Sequence, residues 1–312
     1  MIEEKTLIVI NVAANSGAAK CKWETIEKEV LQYIGGEVIV RVYSPPFDLQ
    51  SFFKEIIKQE YYQFIVGGGD GTINFAANIL YELQVQGLLK SFTLGALALG
   101  SSNDFFKPMA HLINGIPVRI NIKSARFEDI GSVKIDNSNG EKLEKIFLVN
   151  AGLGVTADAN FLFNNPNKLI NFLKPKATQL AILATALITI FKHSNKTITI
   201  RIQKKIIEVA MSNLSIILIP YISGSFHYNK ERSEKNRFDI FLCKEMGRLS
   251  LLKTLIDLSR GEFKIGKDRI VYYSKNLRIK SKKDIPLEID GEIFLGRSFD
   301  FELISKKICL AT

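Results

Sequence analysis

The sequence predicts an α/β protein, an N-terminal doubly wound parallel sheet followed by a mostly β, sandwich-like domain. Three observations carry this reading. Residues 6–13 form a near-continuous apolar run, the pattern of a strand buried on both faces of a parallel sheet. Strand-like and helix-like stretches then alternate as far as the fourth strand, an order that places helices against both sheet faces. After about Arg126 strand patterns dominate, interrupted by two helical stretches.

The first strand ends in Asn11-Val-Ala-Ala-Asn15-Ser16-Gly17, a loop of small and polar residues. Residues 20–34 follow with Trp23, Ile26, Val30 and Ile34 at helical spacing. A second strand is expected at 38–43, a second helix at 49–57 and a short third strand at 64–66. That strand runs without a spacer into Gly67-Gly68-Gly69-Asp70-Gly71-Thr72, and Ile73, Ala76, Ala77, Leu80 and Leu83 then fall on one helix face. The fourth strand, 94–99, enters Gly100-Ser101-Ser102-Asn103-Asp104. Ligands of doubly wound sheets gather beyond the C-terminal strand ends, and three such ends here carry polar turns. Further strands are expected at 118–122, 129–135, 145–149, 197–202, 208–220, 238–243, 269–273, 276–281, 286–290 and 298–303. Helices are expected at 168–191 and 249–258, and a hairpin turn at 136–140.

The glycine turn invites a phosphate. Glycines allow positive φ and a close approach to main-chain N–H groups, and the helix start behind them adds about half a positive charge. Asp70 alone would repel phosphate, so a divalent cation is expected between them, directly or through water; the plainer reading is an N-capping Asp. Leu287-Glu-Ile-Asp290-Gly291-Glu292 brings a strand into a turn with two carboxylates, either a place for a general base or a solvated hairpin. Two weaker patterns carry no chemistry. Gly261-x4-Gly266-Lys267 has P-loop spacing but Asp268 follows it, and Gly152-Leu-Gly154 reads as a tight strand-to-helix connection.

Composition narrows the partners. A net charge of +10 favours an anionic partner, a nucleotide or an acidic membrane surface. Without aromatic RNA-binding motifs or zinc spacings, nucleic acid is not expected. Cys21, Cys243 and Cys309 are far apart, which points to a reducing compartment, and His111, His193 and His227 read as surface or capped residues. The longest uncharged run, 177–191, falls short of the ~20 residues that span a bilayer. The opening residues, Glu3 and Glu4 among them, lack the basic region of a signal peptide. A soluble protein, peripheral to a membrane, is expected.

Taken together, Gly68-Gly-Asp70-Gly-Thr72 with Asn74 resembles the signature of the diacylglycerol kinase catalytic family, which includes bacterial lipid kinases and sphingosine kinases. Asn11-x3-Asn15-Ser16-Gly17, Gly100-Ser-Ser-Asn103-Asp104-Phe105, Phe127-Glu-Asp129-Ile-Gly, Val149-Asn-Ala-Gly152-Leu-Gly154 and Asp290-Gly-Glu292 occur in that family's order. NAD kinases share the glycine turn and the first domain's fold type but lack the Asp-Gly-Glu. The resemblance implies an ATP- and Mg²⁺-dependent kinase acting on a hydroxyl of a membrane lipid, diacylglycerol by default. ATP would lie near Asn11, Asn15, Ser16, Gly17, Gly68, Gly69, Asp70, Gly71, Thr72, Asn74, Gly100 and Ser101. Asp70, Asp104 and Asp129 would form the Mg²⁺ network and Glu292 the general base, with Asp70 the second candidate for that role. The likeness also implies a first domain of 1–125 with 297–312, a lipid-substrate domain of 126–296, and a substrate entering between them.

A lipid substrate requires docking, and Lys20, Lys107 and Lys168, with Lys22, Lys174 and Lys176, are the expected contacts with anionic headgroups. The setting is cytoplasmic, at the inner face of the membrane, and a homodimer is compatible with the sequence. Several positions depart from the family pattern. Val12 stands where proline is common and Ser101 replaces threonine. In Glu234-Lys-Asn236-Arg237-Phe238-Asp239, Asn236 occupies the place of an acid that holds a structural Mg²⁺ in relatives, while Arg237 has the wrong sign. The segment 225–233 lacks the usual proline-containing loop. A non-catalytic nucleotide- or lipid-binding regulator and a NAD-kinase-like enzyme on a soluble substrate are the alternatives.

Overall fold

A computed structural model describes residues 5–108, 111–174, 176–228 and 236–312. Glu3, Glu4, residues 229–233, Glu234 and Lys235 lie outside the described residues. The chain divides into two compact units, Met1–Glu128 with Lys306–Thr312, and Asp129–Ser305.

The first unit follows the alternation written in its sequence: β1 (Lys5–Asn11), α1 (Ala18–Ile34), β2 (Glu37–Tyr43), α2 (Leu49–Ile57), β3 (Gln63–Gly68), α3 (Asp70–Val85) and β4 (Thr93–Ala98). The strands are parallel in the order β4-β3-β1-β2. Residues 6–10 of β1 are buried without exception, because helices cover both faces of the sheet. Trp23, Ile26 and Val30 of α1 pack on Ile8, Ile10 and Ile65. A hairpin follows, β5 (His111–Ile113) and β6 (Ile116–Arg119), the latter antiparallel to β4. Its turn is Asn114-Gly115, both at positive φ, the two-residue geometry that Asn-Gly favours.

The second unit is β-rich. Its elements are β7 (Arg126–Asp136, entered from the first unit), β8 (Lys142–Phe147), β9 (Asn150–Gly154), α4 (Val155–Asn164), α5 (Lys168–Leu173), α6 (Thr178–Lys192), β10 (Lys196–Ile202), β11 (Lys205–Ile217), β12 (Tyr221–Ile222), β13 (Phe226–His227), β14 (Phe238–Lys244), α7 (Arg248–Ser259), β15 (Arg269–Ser274), β16 (Asn276–Ile289) and β17 (Glu292–Leu310). Apart from the small β12-β13 ladder, the sandwich-like domain takes a particular form, one hydrogen-bonded sheet folded on itself. β10 and β9 both sit between β11 and β16, at successive heights. Phe147 of β8 stacks on Phe238 of β14, 5.7 Å between centroids, although those strands lie far apart in the sheet order. One core of inward-facing residues from β7, β8, β9, β10, β11, β14, β16 and β17 fills the sandwich, and a second, around Tyr228, Phe241 and Phe263, takes in Ile190 of α6 and Leu251 of α7. The helical stretch expected at 168–191 is two helices, since the sequence places a proline at 175 that cannot continue a helix. No helix among the described residues is long and apolar enough to cross a membrane.

Candidate active site

In the first unit three turns meet above β1, β3 and β4. The glycine turn is short: β3 ends at Gly68, Gly69 is extended, and Asp70 is already the first residue of α3. The expectation that its glycines serve positive φ is corrected here, since none of Gly67, Gly68, Gly69 or Gly71 adopts it. They serve closeness. A Cβ on Gly100 would stand 2.3 Å from the Gly69 Cα, and one on Gly68 would stand 2.6 Å from the Thr72 side chain. Positive φ belongs instead to the first loop, where Asn15, Ser16 and Gly17 are left-handed in succession. Such a conformation is costly for Ser and is the kind of strain that collects at functional sites.

Asp70 joins two of the turns. Its carboxylate accepts the Asp104 amide at 3.1 Å and the Phe105 amide at 3.0 Å. The N-cap of α3 is Gly69, so Asp70 does not cap its own helix. Asn11 donates to the Thr72 hydroxyl at 3.1 Å, which ties the end of β1 to the start of α3. Asn103, left-handed, donates to the Gly100 carbonyl. Asp104 is buried and paired with Lys107 at 2.7 Å. Lys107 is thus the counter-ion of Asp104 rather than a lysine reserved for a membrane. Lys22 also turns inward, donating to the Gly100 carbonyl at 2.9 Å, and partial burial lowers its pKa. Sequence reasoning set it among the membrane lysines; its position one turn into α1 behind the glycine loop was the missed signal. Asn74 is buried beneath the turn and accepts from Asn78 at 2.9 Å. Ser101 and Asn15 are half-buried, Ser16 and Gly17 exposed, and Lys20 is exposed 4.0 Å from Glu24.

In the second unit, Asp290 and Glu292 part company. Asp290 is buried and accepts three consecutive amides, Leu148 at 2.6 Å, Val149 at 3.0 Å and Asn150 at 2.8 Å. Asp290 and Gly291 are both at positive φ, and the turn is held further by Glu288, which accepts the Gly291 amide at 2.6 Å, and by Asn164, which donates to the Gly291 carbonyl. Glu292 emerges from this clamp with its side chain at the surface but flanked by protein, and that loss of hydration raises its carboxyl above the ordinary glutamate value. Asp129, half-buried, accepts the Asn236 amide at 3.2 Å, and Ser305 donates to the Asn236 side chain at 2.9 Å. His193 is not a surface residue: its ring is buried, 3.8 Å from Asp158.

For a metal, the donor set matters. No three His, Cys, Asp or Glu side chains are grouped as ligands among the described residues. Asp70 is engaged with amides and Asp104 with Lys107. This set does not make a dedicated cage; it suits Mg²⁺ that arrives with a triphosphate and takes one or two protein carboxylates.

Residues 5–133 match the family model described as the diacylglycerol kinase catalytic domain. The chain is diacylglycerol kinase-like. It is 22% identical to a "Diacylglycerol kinase" of Staphylococcus carnosus over 284 residues, covering 86% of each chain. Identity to a "Probable lipid kinase YegS-like" protein of Shewanella frigidimarina is 25%, over 88% of this chain and 84% of that one. A crystal structure titled as a diacylglycerol kinase from Bacillus anthracis superposes with a TM-score of 0.67 at 15% identity, covering 100% of this chain and 97% of that one. At that identity the likeness speaks for the fold.

Proposed function

We propose that this diacylglycerol kinase-like chain is an ATP- and Mg²⁺-dependent lipid kinase that transfers the γ-phosphate of ATP to a hydroxyl of a membrane lipid, diacylglycerol by default. The observation that carries the reading is the Asp70 carboxylate binding the Asp104 and Phe105 amides, which makes one rim of the glycine turn and the Gly100 turn. Phosphoryl transfer asks mainly for positioning and charge neutralisation. The left-handed Asn15-Ser16-Gly17 loop and the start of α3 offer main-chain N–H groups for phosphates, with Asn11, Thr72 and Ser101 as hydroxyl and amide donors beside them. Mg²⁺ bound to the triphosphate neutralises charge on the transferring group, and Asp70 and Asp104 are the carboxylates proposed to serve it; Asp129 is assigned to the same network.

Glu292 is the proposed general base. It takes the proton of the acceptor hydroxyl while that oxygen bonds to the γ-phosphorus and ADP leaves with the electrons of the broken P–O bond. The raised carboxyl suits this task, because a base closer to neutrality gives up less driving force. The clamp on Asp290 keeps the turn that presents it.

The test is purified protein with [γ-³²P]ATP and Mg²⁺ against a panel of neutral lipids, with EDTA and NAD arms. Labelled lipid that disappears with EDTA supports the proposal. ATP binding without transfer to any lipid overturns it in favour of a regulator, and labelled NADP in favour of a soluble-substrate kinase.

A further inference from the structure

α6 places its side chains against expectation for a helix facing water. Its buried face holds Ala181, Ile182, Ala186 and Ile190 together with Thr185 and Thr189, and Thr185 satisfies its hydroxyl on the Ala181 carbonyl at 2.7 Å. Its outer face carries Leu180, Leu183 and Phe191, with Leu180 57% and Phe191 58% exposed. α5 repeats the arrangement, burying Ile170 and leaving Leu169 and Phe172 outside. Phe161 of α4 is likewise exposed, and both α4 and α5 pack on α6. An accumulation of exposed large apolar residues on neighbouring helices marks an interaction surface. The one acid on these three helices, Asp158 of α4, is paired with Lys196 at 2.7 Å, and their other charges have one sign. Residues 159–207 contain no Asp or Glu, while Lys168, Lys174, Lys176 and Lys192 lie in or beside the helices. Lys174 and Lys176 rest over the rings of Phe163 and Phe172, at 4.3 and 3.9 Å.

We propose that α4, α5 and α6 form the face by which this chain docks on an anionic lipid bilayer. Phe161, Leu169, Phe172, Leu180 and Leu183 enter the boundary between headgroups and acyl chains, and the lysines lie among the anionic headgroups, as on amphipathic helices that rest in the interface. A second copy is the poorer occupant, because pairing two such faces sets lysines against lysines with no acid within the segment to offset them. The proposal rests on the lipid-kinase reading for why a bilayer is met at all, but its test needs no catalysis.

The full chain is co-sedimented, without ATP, with vesicles of phosphatidylcholine alone and of phosphatidylcholine enriched in phosphatidylglycerol. Binding to the anionic vesicles is expected. The double variant Phe172→Ser, Leu180→Ser should weaken it at least about tenfold, and Lys174→Gln and Lys176→Gln about fivefold each, on anionic vesicles only. Leu249→Ser, at an exposed site on α7, should bind like the unchanged chain, and circular dichroism checks that every variant folds. Equal binding by all variants, or no vesicle binding by the unchanged chain, overturns the proposal. A dimer in sedimentation velocity that the double variant abolishes, with vesicle binding intact, assigns the face to a second copy instead. Phosphorylation of lipid in detergent micelles without vesicle binding sinks the docking face and leaves the kinase reading standing.

Discussion

Replacing Asp70 by Asn separates a structural from a chemical role. The carboxylate accepts two main-chain N–H groups, at 3.1 and 3.0 Å. Asn has one carbonyl oxygen, so its NH₂ group would confront the second amide, donor against donor. Losing one charge-assisted bond costs about 1.5–3 kcal/mol. Removing a negative charge from the first turn of α3 costs about 0.3–1 kcal/mol more. The sum, about 2–4 kcal/mol, is a large share of a typical folding free energy of about 5–15 kcal/mol. Urea unfolding should therefore show a lowered midpoint, and hydrogen exchange of the Asp104 and Phe105 amides should quicken by about 30-fold or more, each 1.4 kcal/mol being a factor of ten. Mg²⁺-dependent transfer should fall with it. Unchanged exchange at both amides together with an unchanged midpoint would refute the reasoning that Asp70 joins the two turns. Insensitive transfer would remove it from the chemistry.

The other predictions concern the second unit. Glu292→Gln should lower kcat by about 10²–10⁴ in a folded protein, the range for a lost general base; in the unchanged enzyme the acidic limb of the pH–rate profile should lie above the ordinary glutamate range, because lost hydration raises this carboxyl, and a limb at the ordinary value would count against it. Asp290→Ala orphans three main-chain amides and puts Ala at positive φ, so a loss of about 3 kcal/mol or more is expected by denaturant titration. Asp257→Ala leaves Arg269 buried without its partner at 2.5 Å and should cost about 3–5 kcal/mol. The Arg269 hydrogen bond holds the Asp257 carboxyl below its usual value. That contribution is therefore complete above the ordinary carboxylate range and fades as pH falls through the folded value, and an acid-unfolding curve shared by the Ala variant would count against it.

Much of the first unit is legible in its sequence because its strands are buried on both faces, and a continuous apolar run such as 6–10 has few other readings. The Asn114-Gly115 hairpin was not expected, although its turn pair has a known geometry, because the three residues of β5 make a short and mostly exposed strand. What resisted reading was which way a polar side chain points. Nothing in the spacing of Asp70, Asp104, Asp290 and Glu292 distinguishes a carboxylate that clamps amides from one offered to solvent. Lys22 and Lys107 likewise look like any surface lysine until the turns they hold are folded. In the second unit the fold-back of one sheet depends on pairings between strands far apart in sequence, such as β9 with β16, that local pattern cannot specify.

The final strand has a consequence for biosynthesis. Cys309 and Leu310 pair with Thr93 and Leu94, and the Asn121 amide donates to the Thr312 carbonyl. The first unit therefore stays incomplete on the ribosome, with one side of β4 lacking this partner, until residues 306–312 have emerged. The second unit ends at Ser305 in the same strand, so neither unit is complete until β17 has emerged, and a nascent chain stalled before β17 should be open to protease in both.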